Sequence, residues 1–131
     1  MYKLYFLIIT LLIVNVYGQN DMDWTSIDYT LASTLVIGQA MDFGLTNYAI
    51  TNCGMNEANP LFGKNPNITH MALYKIAGTA TLLALVKYAP TSVSQRRWVL
   101  ITYNVITWIP VFMNMNTLTK NGYEIKFSFV L

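Results

Sequence analysis

At 131 residues the chain has room for one domain, and its net charge of +2, with no basic stripe, argues against nucleic-acid binding. Only 11% of its residues are charged and 54% are hydrophobic, where a soluble domain is about a quarter charged. Too few charges remain to coat a soluble surface, and the long apolar runs call for lipid. The single cysteine, Cys53, rules out an intrachain disulfide and a cysteine-built zinc site, and reads as a small turn residue beside Gly54.

Residues 1–18 have the layout of an export signal: Lys3 supplies a positive start, Leu4 to Val16 an apolar core, and Val16-x-Gly18 a cleavage site. A helix over that core is about 20 Å long, short of the roughly 30 Å hydrocarbon layer. Cleavage after Gly18 and retention as a signal anchor are both compatible with it. Asp21, Asp23 and Asp28 follow with no Lys or Arg among them, which suits the exported side. The remainder, 19–131, reads as one all-α membrane domain, a small transmembrane bundle of three spans.

The first span, about 27–50, is the weakest, because it carries Gln39, Asp42 and Asn47. Residues 51–69, rich in Asn with two Gly and two Pro, read as a loop. The second span, about 69–88, stops at Pro90. A short connection leads to the third, about 97–115, so neighbouring spans run antiparallel. In the tail, 119–131, Tyr123, Ile125, Phe127 and Phe129 alternate, a strand-like period without a partner strand, so it reads as an interfacial tail.

Charged groups inside lipid cost about 2.5–3.5 kcal/mol each on insertion scales, so Asp42 needs a reason. At 100° per residue Gln39, Asp42 and Thr46 fall within an arc of about 60°, one polar stripe that should face protein. Thr46 lies one turn on, within reach of the Asp42 carboxyl. On the second span His70, Tyr74, Ala77, Thr81, Ala84 and Tyr88 share a small or polar face of the kind that packs helices in membranes. Lys75 points about 140° away from His70, with a stem long enough to reach Asp42 or a headgroup. The third span repeats the pattern with Tyr103, Thr107, Pro110 and Asn114, and Pro110 leaves the Ile106 carbonyl without its usual donor. In the loop, Pro60 biases Asn59 to an extended conformation and so sets how Asn59 and Glu57 project.

With a cleaved signal, three spans place Lys64, Lys120 and Lys126 inside and Arg96 and Arg97 outside, a near tie that leaves orientation open. If 27–50 does not cross, the parity flips.

Asp42-x-x-x-Thr46, then Glu57-Ala58-Asn59-Pro60-Leu61, then Lys75 in the next span resembles an uncharacterised family of small prokaryotic and phage membrane proteins. The resemblance covers roughly residues 28–115. It implies that Asp42, Thr46, Glu57, Asn59, Pro60 and Lys75 matter as a group, and it implies no reaction.

No nucleophile elbow, metalloprotease helix, phosphate-binding loop or dinucleotide fingerprint is present. The leading expectation is therefore a structural or interaction component inserted through the export pathway, without cofactor. Its partners are the bilayer, a second copy or another membrane protein. Two alternatives stay open: a membrane enzyme or divalent-metal binder using Asp42, Glu57, Asn59 and His70, and a minimal proton or ion conductor that oligomerises around Asp42.

Overall fold

The computed structural model describes residues 23–57, 62–63, 66–89 and 91–123. The signal at 1–18, Asn59, Pro60, Lys64 and most of the tail lie outside them. Among the described residues the chain is all-helical, with no strand: α1 (Ser26–Cys53), α2 (Ile68–Tyr88) and α3 (Val93–Lys120).

Each helix starts where a short polar side chain satisfies the amides that have no carbonyl partner. Thr25 and Asp28 form a reciprocal capping box on α1, and Ser92 and Gln95 form another on α3. The Asn67 side chain accepts from the His70 backbone N–H to start α2. Gly54 closes α1 in the left-handed region at φ 64°, where a side chain would be strained. The caps on α3 extend it beyond the apolar run at both ends, from 97–115 to Val93–Lys120, and it continues through Pro110.

Helix α1 packs mainly on α3, its neighbour in space but not in sequence. Asp28 bonds Arg96, Gln39 bonds Thr107 and Thr46 bonds Asn114, and in each case the partners are 68 residues apart. A constant difference in residue number along two helices means that they run parallel and in register. The 18 residues from Asp28 to Thr46 rise about 27 Å, close to the thickness of a hydrocarbon layer. Helix α2, joined to α3 by residues 89–92 alone, returns antiparallel to both.

Gly38 sets the closeness of α1 to α3. A Cβ built there would lie 2.9 Å from Thr107 Cγ2 and 3.0 Å from Trp108 Nε1. Below this point Leu45, Ala49, Val111 and Leu118 form the apolar core, with Cys53 and Tyr123 packed against it. Above it the buried face is mixed: Ala32, Leu35 and Leu100 are buried beside Asn104, which donates to the carbonyls of Leu31 and Leu100 at 2.9 Å.

Helix α2 contributes least to the interior, burying only Met71 and Val86. The stripe of His70, Tyr74, Ala77, Thr81, Ala84 and Tyr88, expected to pack inward, faces outward instead. The reason is geometric: Lys75, about 140° from His70, is the group that engages α1, and it turns the opposite side of α2 to the bundle.

Replacing Gly38 by Val should lower stability by about 1–3 kcal/mol through overpacking. Gly44→Ala, where a Cβ meets nothing within 4 Å, should instead raise it by about 0.5–1 kcal/mol, the difference in helix propensity. Thermal unfolding of the two variants in detergent measures the contrast; equal effects would show that α1 does not approach α3 at Gly38.

Candidate functional site

All three helices meet at Asp42. Lys75 of α2 forms a salt bridge to Asp42 Oδ2, and Asn114 Nδ2 of α3 donates to Asp42 Oδ1 at 3.1 Å. The same Asn114 amide donates to Thr46 Oγ1 at 3.2 Å. Asp42 and Thr46, one turn apart on α1, are thus linked through Asn114. The Asp42 and Lys75 side chains are 13% and 17% exposed, so the pair is withdrawn from the surface without being sealed.

Charge balance explains the arrangement. A carboxylate away from water is tolerated only when paired and hydrogen-bonded. Here one oxygen takes a cation and the other takes an amide. The cluster carries no net charge, and one turn above it Gln39 Nε2 donates to Thr107 Oγ1 at 2.9 Å. Removing one member leaves another without its partner.

Of the residues singled out in the sequence, the structure brings together Asp42, Thr46 and Lys75. Glu57 sits half-buried in the segment after α1, and Asn59 and Pro60 are outside the described residues. His70 is exposed in the first turn of α2. No group of three His, Cys, Asp or Glu side chains close enough to hold a metal ion occurs among the described residues, so Asp42, Glu57 and His70 do not form such a set.

A second polar cluster was not anticipated. At the N-terminal ends of α1 and α3, Arg96 Nη2 donates to Asp28 Oδ2 at 2.8 Å and to the Asp23 carbonyl at 3.1 Å. Both side chains are almost completely buried. Arg97 adds a bond to Thr25 Oγ1 at 3.2 Å and places its Nε 3.6 Å from Asp28 Oδ1. Composition alone assigns Arg96 to a loop and Asp28 to an acidic exported stretch. The signals that place them are the capping boxes: Ser92-x-x-Gln95 starts the helix at Val93, so Arg96 already lies on a helical face. Thr25-x-x-Asp28 does the same for Asp28.

Residues 33–120, more than half of the chain, match the family described as Domain of unknown function (DUF5658). The chain belongs to that family. The match takes in Asp42, Thr46, Lys75 and Asn114 together with Arg96 and Arg97, and ends where α3 ends. No curated protein and no solved structure matches the chain. The description of the DUF5658 family names no activity.

Two outcomes follow from the polar clusters. Arg96→Met should destabilise the bundle by about 1–3 kcal/mol, less than a wholly unpaired buried charge would, because Arg97 and Thr25 still face Asp28, and Asp28→Asn/Arg96→Met should recover part of that loss. A double-mutant cycle on unfolding in detergent measures both; additive single effects would mean that the pair is not coupled. Asn114→Leu removes the donor to both Asp42 and Thr46 and should cost about 1–3 kcal/mol, read in the same assay.

Proposed function

We propose that this chain is a polytopic integral membrane protein whose three helices all cross the bilayer, acting as a structural or interaction component of a membrane assembly. Helices α2 and α3 are long and apolar enough to cross a membrane by length and composition. Helix α1 falls short on composition because it carries the polar partners.

The observation that carries the reading is an inverted distribution of polarity. Arg96 is 2% exposed and Asp28 0%, while Ile76 is 67% exposed, Trp98 66% and Phe112 62%. Water favours the reverse, since apolar surface gains from burial and a buried ion pair loses its hydration. Lipid favours what is observed: apolar side chains outward, with polar groups and close backbone contacts between helices. The export-type N-terminus supports delivery to the membrane by the secretory route. A bundle this small, with its α2 face turned outward, suits a role carried out through a partner, either a second copy or another membrane protein.

The location of the Asp42–Lys75 pair within the helices favours a second reading, a minimal proton or ion conductor that oligomerises around Asp42. Proton or ion flux into liposomes that is unaltered by Asp42→Asn removes it.

The test of the first reading uses the full-length chain in a Cys53→Ser background, with single cysteines introduced at Asp23 and at Asn56. If α1 crosses, a membrane-impermeant thiol reagent labels the two from opposite sides of sealed vesicles; labelling from the same side overturns the three-span arrangement. In-membrane crosslinking should then give a discrete oligomer or complex. A chain that remains monomeric and crosslinks to nothing is not an interaction component.

A further inference from the structure

The contacts at Asp42 place the three helices on one vertical scale. Lys75 of α2 is paired with Asp42 of α1, and Asn114 of α3 is level with Thr46, about 6 Å below Asp42. Tyr29 lies 13 residues above Asp42 on α1, and Tyr88 lies 13 residues above Lys75 on the antiparallel α2. Trp98 lies 16 residues above Asn114 on α3. At 1.5 Å per residue all three stand about 18–20 Å above the Asp42–Lys75 pair. One large aromatic side chain from each helix therefore occupies the same level, and all three are more than half exposed.

Cations gather at this level. Arg96, Arg97 and Lys87 lie within a residue or two of the rings on the same scale, and the carboxylates at this end among the described residues are Asp23 and Asp28. Asp28 is sealed in its contact with Arg96. The Arg97 side chain is one-third exposed, Lys87 is exposed, and the Lys87 ammonium lies 5.6 Å from the centre of the Tyr88 ring. The end thus presents an excess of positive charge beside the rings.

Thickness supplies an independent check. A hydrocarbon layer of about 30 Å takes about 20 helical residues. Counted down from the rings, that length reaches Ala49 on α1, Ile68 on α2 and Leu118 on α3. Each lies within one turn of where its helix ends or begins, and Thr51, Asn52, Asn67, Thr119 and Lys120 are exposed just beyond. Between the two levels, apart from Lys87 at the rim, the Asp, Glu, Lys and Arg residues are Asp42 and Lys75, which neutralise each other. One slab therefore fits all three helices at once.

Tyr and Trp, with an apolar body and a polar tip, settle where hydrocarbon meets water. A guanidinium matches the oxygens of a phosphate, and an ammonium adds a point charge. We infer that Tyr29, Tyr88 and Trp98, together with Arg97 and Lys87, form a belt that binds the phosphate-bearing headgroups of bilayer phospholipids and sets the depth of the bundle. This rests on the proposal that the three helices cross the bilayer, and names the residues that meet the headgroups. It puts the Asp28–Arg96 pair at headgroup level and leaves Asp42–Lys75 as the pair at depth.

Depth is read from tryptophan quenching by phospholipids brominated at different chain positions, with the full-length chain in sealed vesicles. In a Trp24→Phe/Trp108→Phe background Trp98 is the reporter, and Trp98→Tyr combined with Tyr29→Trp, Tyr88→Trp or Ile76→Trp moves it. The reporters at 98, 29 and 88 should fall within about 5 Å of one another and about 15 Å from the bilayer centre, with the one at 76 close to the centre. A wider spread, or belt reporters as deep as the one at 76, overturns the belt. Native mass spectrometry of the chain with its tryptophans intact tests the headgroup chemistry. Phosphatidylglycerol should be retained at least fivefold over diacylglycerol of the same chains, and Arg97→Gln/Lys87→Gln should bring the two to parity. Equal retention by the unaltered chain, or a preference that survives both substitutions, overturns the phosphate assignment. Alkaline carbonate extraction separates this failure from that of the membrane reading. A chain that stays in the membrane with scattered reporters loses only this inference, whereas one washed out loses the membrane reading itself.

Discussion

The in-register contact of α1 with α3 is the constraint from which the other features follow. Parallel helices that are not consecutive in sequence must be held by their own complementarity, since no short loop aligns them. Here that complementarity is a row of unlike polar pairs: Asp28 with Arg96, Gln39 with Thr107, and Thr46 with Asn114. In the lipid setting proposed for the chain, apolar side chains gain little by leaving the solvent for another helix, so packing and polar pairs decide which helices associate. A shift by one residue would part every pair together. Gly38 lets the backbones approach closely enough for the pairs to form.

The two ion pairs are built for different circumstances. Asp28 and Arg96 are sealed between α1 and α3, and the carboxylate is also part of the cap of its own helix. That arrangement has little room to change without loosening the end of the bundle. Asp42 and Lys75 are less enclosed and join α1 to the helix with the smallest buried surface. Helix α2 depends on that pair because Met71 and Val86 are the only residues it buries. An interaction that can respond to a ligand or a neighbour is more readily placed at a lightly held helix than at a sealed contact, because local rearrangement there disturbs fewer contacts.

Membership of the DUF5658 family and the inverted polarity describe the chain at different levels. The family match runs from residue 33 to residue 120, covering most of α1 and all of α2 and α3, and leaves Asp28 outside it. Within the match Asp42, Lys75, Thr46 and Asn114 are mutually paired, and no group of three His, Cys, Asp or Glu side chains placed to hold a metal ion occurs among the described residues. The Asp42 cluster links all three helices.

The sequence by itself determined the helical class, the approximate limits of the helices and the polar stripe of Gln39, Asp42 and Thr46. Each is local: apolar length, breakers and 100° periodicity are properties of one segment and need no partner. It also made Lys75 a possible partner for Asp42, because a long stem reaches in many directions. Only the tertiary structure decided which stripes face inward. The small face of α2 and the face actually used are equally regular in sequence, and the choice between them depends on where α1 and α3 stand. The pairing of Asp28 with Arg96 was hidden for the same reason. Those residues are separated by 68 positions, and nothing local to either shows that two parallel helices bring them together.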